Sequence, residues 1–189
     1  MKKVFSIIMC GLMLLTVACT KKKDSMLENS LKSDFAYMEK TYGEEFVWFE
    51  SQIALAENLD KDCSGKIESV YNVFEHVHMY DSISADVLVV TFTHYSDGTV
   101  DTARVHDFWV EDCAMKMSDI TINYKTAFDN LMKANCPKPS SDKCVLRKQV
   151  GPVEANPQYI FGNIDDCVFV DAVTGNVSTE NPAFKSPEE

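Results

Sequence analysis

The side chains best suited to binding a transition metal are four histidines, all in one β-rich section, at His76, His78, His94 and His106. His76 and His78 alternate along a predicted strand, so they share one face of it at a spacing that metal ligands use. A metal site would need further ligands on that face. The other two histidines lie in the neighbouring predicted hairpin, so its register decides whether they can contribute.

That register argues against a shared histidine site. If Asp97-Gly98 is a two-residue turn, His94 lies opposite Asp101 and His106 lies opposite Val89. These positions then point to opposite faces of the sheet, and without a bulge they cannot join one site. The sequence therefore predicts scattered surface histidines rather than a metal centre.

The segment Asp60–Glu68 resembles the first part of an EF-hand calcium loop. Asp60, Asp62 and Ser64 place oxygen atoms at the first, third and fifth positions, and the glycine that follows allows a sharp turn. The last ligand position holds Tyr71, where the loop needs a bidentate glutamate. The sequence favours a polar turn, with calcium binding by Asp60, Asp62 and Ser64 as the alternative. No other cofactor is indicated.

Five cysteines follow Cys19, and this odd number leaves at least one thiol unpaired within the chain. Cys136 and Cys144 flank a proline-containing loop and are the easiest pair to bridge in an oxidising compartment. A second disulfide could be drawn from the remaining three, which are Cys63, Cys113 and Cys167. No Cys-x-x-Cys occurs, so neither a dithiol oxidoreductase nor a zinc ribbon is indicated.

Enzymatic signatures are absent from the sequence. It contains no Gly-x-Ser-x-Gly, no phosphate-binding glycine loop and no His-Glu-x-x-His. Its 29 acidic residues show no spacing that identifies a general acid or base. We therefore predict that the protein is not an enzyme, and an envelope enzyme is the least supported function.

Length and composition indicate a folded acidic protein. The 189 residues, 46% of them hydrophobic, suffice for one ordinary domain or two very small ones. The net charge of -11 argues against nucleic acid as a partner, because the phosphate backbone is also negative.

The N-terminus has the organisation of an export signal. A basic start, Met1–Lys3, precedes an uncharged run of 15 residues that ends at Ala18. The sequence Leu15-Thr16-Val17-Ala18-Cys19 resembles a bacterial lipobox, with Thr16 where that motif usually has leucine. The resemblance implies that residues 1–18 are a signal peptide and that Cys19 becomes the N-terminus, with diacylglycerol on its sulfur.

Lipidation would attach the protein to a membrane of the bacterial cell envelope, exposed on the periplasmic or cell-surface side. Residues 19–25 would form the tether, and the lysines at Lys21–Lys23 would contact anionic headgroups. Removal of Lys2 and Lys3 with the signal would make the acidic body more negative by two charges.

The pattern of the mature chain predicts an α+β fold with helices packed on an antiparallel sheet. A helix begins at Ser25 and breaks at Tyr42-Gly43, and a second is predicted from Glu44 through Asn58. The remaining predicted elements are strands at Ile67–Met79, Val87–Thr93 and Val100–Val110, a helix at Ile120–Asn135, and strands at Cys144–Val150, Gln158–Phe161 and Cys167–Asp171.

This order suggests an αβββ unit used twice, in an N-terminal half at 26–118 and a C-terminal half at 119–177. Residues 178–189 contain prolines and glutamates and are predicted to be a disordered tail.

The C-terminal half carries a helix with Ala127 and Leu131, then Tyr159-Ile160-Phe161, then Val168-Phe169-Val170-Asp171-Ala172-Val173-Thr174-Gly175-Asn176-Val177. This arrangement resembles the PepSY and PepSY-like domains of exported bacterial proteins. The resemblance implies a cystatin-like αβββ unit and a propeptide, inhibitory or regulatory role outside the cytoplasm. In the closing turn, Asp171 and Thr174 are expected to bond the backbone while Gly175 supplies its dihedral angle.

Together these observations predict a membrane-anchored, exported lipoprotein. Its α+β module would act as a non-enzymatic protein-binding or regulatory domain on another exported or envelope protein.

Overall fold

The structure, a computed structural model, describes residues 25–77, 89–106 and 113–184. The predicted α+β class is confirmed: one antiparallel sheet of eight strands carries two α-helices. Within the described ranges, no helix is both long and apolar enough to cross a bilayer. The predicted signal peptide, Cys19, the lysine cluster and His78 lie outside these ranges.

Each helix precedes a run of four strands, one more than the predicted αβββ unit contains. The helix α1 (Met26–Tyr42) is followed by β1 (Phe46–Leu55), β2 (Ile67–His76), β3 (Val89–Tyr95) and β4 (Val100–Val105). The helix α2 (Tyr124–Lys133) is followed by β5 (Lys143–Arg147), β6 (Gln158–Phe161), β7 (Val168–Asp171) and β8 (Val177–Ser178). Single 3₁₀ turns lie at Met117–Asp119 and Pro182–Phe184.

The strand order is β4-β3-β2-β1-β5-β6-β7-β8, so the first strands of the two runs pair at the centre of the sheet. Gln52 of β1 lies opposite Val145 of β5. Both helices contribute to one main core, in which the largest fully buried side chains include Trp48, Phe74, Tyr159 and Phe161. A smaller cluster contains Phe49, Val73, Val89 and Cys113.

The prediction of a helix from Glu44 through Asn58 is wrong, because most of this segment forms the strand β1. A register shift between Trp48 and Glu50 bulges the strand at Phe49. Trp48 packs in the main core while Phe49 packs in the smaller cluster. The bulge adds one residue to the alternation, and the resulting spacing of apolar residues imitates that of a helix.

The hairpin formed by β3 and β4 is confirmed, but its predicted register is off by one residue. Tyr95 donates its N–H to the Thr99 carbonyl at 3.0 Å, which encloses a three-residue loop instead of a two-residue turn. Gly98 provides the positive φ of 89° in that loop. His94 therefore lies opposite Val100, not Asp101.

The chain after Ser178 differs from the predicted disordered tail. Ser178 pairs with Phe169 of β7, and Ala183 is fully buried. The Ala183 carbonyl accepts a hydrogen bond from the Val153 N–H at 3.1 Å. Residues 185–189 lie outside the described part of the chain.

The structural role predicted for the Asp171–Val177 turn is confirmed. The Asp171 carboxylate accepts hydrogen bonds from the backbone N–H groups of Val173 and Thr174, both at 2.8 Å. Burial raises the pKa of this carboxyl, but the hydrogen bonds from the turn and from Asn156 outweigh it, and the net pKa is lowered. Gly175 has a positive φ of 78°.

Replacing Gly175 with alanine should lower the free energy of unfolding by about 1–2 kcal/mol. The new Cβ would lie 2.7 Å from Asn130 Nδ2, which donates to the Gly175 carbonyl. Denaturant unfolding followed by circular dichroism measures the loss. Gly98→Ala is the matched control, because its φ is also positive but no atom lies within 4 Å of the added Cβ. Equal losses in both variants would contradict a role for the Asn130 contact.

Candidate functional site

A hydrogen-bonded pair of a buried aspartate and a histidine joins α1 to the sheet. Asp34 is 2% exposed, and its two carboxylate oxygens lie 2.8 and 3.0 Å from His94 Nε2 on β3. α1 presents Asp34 because it lies on the same helical face as Leu27, Leu31 and Met38, which are all buried. Burial disfavours a carboxylate, so the hydrogen bonds from its polar partners must compensate for the cost of burying Asp34.

A network of side chains continues from Asp34 into the core. Asn72 on β2 donates to Asp34 Oδ2 at 2.7 Å and to Ser30 Oγ at 3.1 Å. The side-chain oxygen Oδ1 of Asn72 accepts a hydrogen bond from Ser51 Oγ at 2.5 Å, and Ser51 Oγ in turn accepts one from Trp48 Nε1 at 3.2 Å. Among the described residues, every buried side-chain polar atom has a hydrogen-bond partner.

The contact with Asp34 fixes the imidazole of His94. Burial raises the pKa of Asp34, an effect larger than the lowering by the Asn72 hydrogen bond and by the charge of His94. Because Nε2 faces the carboxylate, Nδ1 is the ring nitrogen left for another partner. The pair therefore orients the imidazole so that Nδ1 can take part in a hydrogen bond at the surface of a cavity.

That cavity, here called the hairpin cavity, has a volume of about 540 Å³. It lies between the N-terminal turns of α1 and the β3–β4 hairpin. Its lining combines apolar side chains with hydroxyl and basic groups, and it includes Ser33, Lys66, His94, Ser96 and Val100. Lys66 forms no ion pair with any of the described residues.

Next to the hairpin cavity, β4 forms one edge of the sheet, and all six of its residues are exposed. Hydrogen-bonded and non-hydrogen-bonded pairs alternate along an antiparallel ladder. Because Tyr95 bonds to Thr99, the residues that bond to β3 are Asp101, Ala103 and Val105. The residues that direct N–H and C=O away from the sheet are Val100, Thr102 and Arg104.

The described part of the chain does not bring the histidines together. The His76 ring packs edge-on against Phe46, with centroids 5.2 Å apart, while His94 pairs with Asp34. Within the ranges 25–77, 89–106 and 113–184, no group of three or more His, Cys, Asp or Glu side chains is placed to hold a metal ion.

The Asp60–Glu68 loop connects two strands. Asp60, Asp62 and Ser64 are exposed, and Ser64 Oγ donates to Glu57 Oε2 at 3.0 Å. Gly65 has the positive φ, 71°, that the loop pattern anticipates. Calcium binding here stays a prediction, and calorimetric titration of the protein with calcium chloride tests it.

The five cysteines that follow Cys19 are free thiols in the structure, with Cys63, Cys113 and Cys144 buried. A Cys136–Cys144 disulfide therefore stays a prediction, which intact mass before and after reduction tests. Burial raises the pKa of the thiols of Cys63, Cys144 and Cys167. A raised thiol pKa disfavours the nucleophilic thiolate.

Asp34 and Asn72 are the functional candidates that sequence reasoning missed. Asp34 lies in an amphipathic helix with other acidic residues, and residue type alone does not distinguish it from the more exposed ones. The available signal was its position on the apolar face, three residues after Leu31 and four before Met38.

We compared the chain with protein-family models, with curated proteins and with solved structures, and no match was found.

Proposed function

We propose that this protein is a lipid-anchored, exported binding module that takes up an extended segment of a partner protein at the β4 edge. The single observation that carries this function is the alternation along β4, where Val100, Thr102 and Arg104 direct their N–H and C=O groups outward. The binding is non-enzymatic.

An exposed edge strand favours this mode because its unpaired backbone groups can form a further antiparallel ladder. Edges are commonly protected by proline or by a short length. β4 contains no proline and has six residues, while the opposite edge strand, β8, has two. Val100 and Val105 are 50% and 42% exposed, so apolar side chains flank the available ladder.

The lipobox-like sequence ending at Cys19 supports a location in the bacterial cell envelope. Two acyl chains would hold the chain at the membrane, and Lys21–Lys23 would add attraction to anionic headgroups. The acidic body would then extend away from the bilayer, where an exported or envelope protein could reach the β4 edge.

We propose further that the two halves are copies of one helix–meander unit, with the second related to PepSY-like domains. Support comes from the order of elements, since each half consists of one helix followed by four strands. The regulatory or inhibitory role of such domains is consistent with binding an extended protein segment.

A Thr102→Pro variant tests the binding mode. Proline removes the outward N–H of Thr102 and leaves the ladder between β4 and β3 intact, so the fold is retained. Affinity capture from envelope extracts, with quantitative mass spectrometry, should recover a partner with the wild-type protein and at least about tenfold less with Thr102→Pro.

Thr102→Ala is the matched control, because it removes the same side chain but keeps the N–H group. We expect it to capture the partner as well as the wild type does. Equal capture by wild type and Thr102→Pro, with unchanged melting temperatures, would refute binding through the β4 backbone.

A further inference from the structure

We propose that the hairpin cavity selects the segment bound at β4 by receiving a glutamate side chain from it. This inference rests on the proposed function, since it assumes an added strand at the same edge. It deepens that function by naming the chemistry of one partner residue.

The pairing of β4 places one partner side chain at the cavity. Val100 lines the cavity and directs its backbone groups outward, so an added strand has one residue directly opposite it. Directly opposed residues share a face, with Cβ atoms about 5 Å apart. The partner residue opposite Val100 therefore has its side chain on the cavity side of the sheet.

Alternation carries the side chains of Val100, Thr102 and Arg104 to the face that α1 covers. Arg104 Nη2 donates to the hydroxyl of Tyr37 on α1 at 2.6 Å, which agrees with this placement. On the opposite face, the hydroxyl of Tyr95 donates to Asp101 at 3.3 Å. A partner side chain opposite Val100 thus meets the helix side, where the cavity opens.

The charge in the lining favours a carboxylate. Lys66 supplies a positive charge and has no ionic partner among the described residues. The Asp34 carboxylate is already occupied within the network, since Asn72 and His94 both bond to it. Hydroxyl groups at Ser33 and Ser96 add hydrogen-bond donors to the lining.

The length of the side chain follows from the position of the added strand. Neighbouring strands lie about 4.8 Å apart, so the partner backbone is one strand further from the cavity than Val100 is. Glutamate extends further from its backbone than aspartate. It can pass Val100 and bring its carboxylate toward Lys66, with which it would form a charge-assisted hydrogen bond.

The test uses fluorescein-labelled, amidated peptides that add antiparallel to β4. In Thr-Val-Thr-Val-Thr-Glu the last residue lies opposite Val100, and in Thr-Val-Thr-Val-Thr-Gln a neutral amide of the same size replaces it. Glu-Val-Thr-Val-Thr-Thr moves the carboxylate to the other end of β4. Fluorescence polarisation should give the first peptide a Kd about tenfold lower than the other two.

Lys66→Gln should reduce this preference to about twofold or less, while Lys61→Gln, an exposed lysine outside the lining, should preserve it. Equal affinities for all three peptides, each lost in Thr102→Pro, would overturn the glutamate site and leave strand addition standing. A preference that survives Lys66→Gln would also overturn the site. Absence of binding by every peptide at millimolar concentration would overturn strand addition, and the inference with it.

Discussion

An Asp34→Ala variant should lose about 3 kcal/mol of unfolding free energy at neutral pH. The substitution removes the acceptor for Asn72 Nδ2 and the partner of the part-buried His94 Nε2, and it leaves Asn72 Nδ2 with only its hydrogen bond to Ser30 Oγ. Removing one member of a buried pair is expensive because the other keeps its desolvation penalty. Chemical denaturation monitored by circular dichroism measures the change.

Asp34→Asn is the control for the charge of this residue. The amide oxygen of the new side chain can still accept a hydrogen bond from Asn72, so the loss of unfolding free energy should be smaller than that of Asp34→Ala. The pKa of Asp34 is raised by burial in the folded chain, so the folded state holds the proton more tightly than the unfolded state does. The stability of the wild type relative to Asp34→Asn should therefore be highest below about pH 4 and should fall as the pH rises through the folded pKa. A stability advantage of the wild type over Asp34→Asn that grows as the pH rises would contradict this account.

Trp48→Ala should be at least as damaging, with an expected loss of about 3–5 kcal/mol. Trp48 has no exposed surface, and its ring packs edge-on against Phe35 of α1 with centroids 5.9 Å apart. Its Nε1 also donates to Ser51, so truncation opens a cavity and removes the end of the polar network. Denaturant unfolding gives the loss directly.

Trp48→Phe separates these two effects. Phenylalanine retains most of the buried ring but cannot donate to Ser51, so we expect a loss of about 1–2 kcal/mol. A loss as large as that of Trp48→Ala would mean that the hydrogen bond, rather than packing, dominates at this position.

The sequence was informative where a signal is local. The Asp97-Gly98 dipeptide predicted the hairpin, and the Val-Asp-Ala-x-Thr-Gly pattern predicted the turn at Asp171, because both depend on a few neighbouring residues. The helix α2 follows from its apolar spacing, whereas the strand at Ile67 follows from its β-branched and aromatic residues, because its apolar spacing also fits a helix. The α+β class follows from grouped strands without regular βαβ alternation.

Features that depend on one extra residue or on distant partners were missed. The bulge at Phe49 converts alternation into helix-like spacing, and the three-residue loop shifts the hairpin register by one. The His94–Asp34 pair joins residues 60 positions apart, so neither residue marks the other in the sequence. The β4 edge could not be identified either, because strand order follows from the pairing of β1 with β5.

Amide hydrogen exchange on β4 tests the central claim most directly. Bound Thr-Val-Thr-Val-Thr-Glu should slow exchange at the outward N–H groups of Val100, Thr102 and Arg104. Asp101, Ala103 and Val105 should change little, because their N–H groups already bond to β3. Protection that alternates along β4 is the result that strand addition predicts. Binding without slower exchange at those three amides would contradict it.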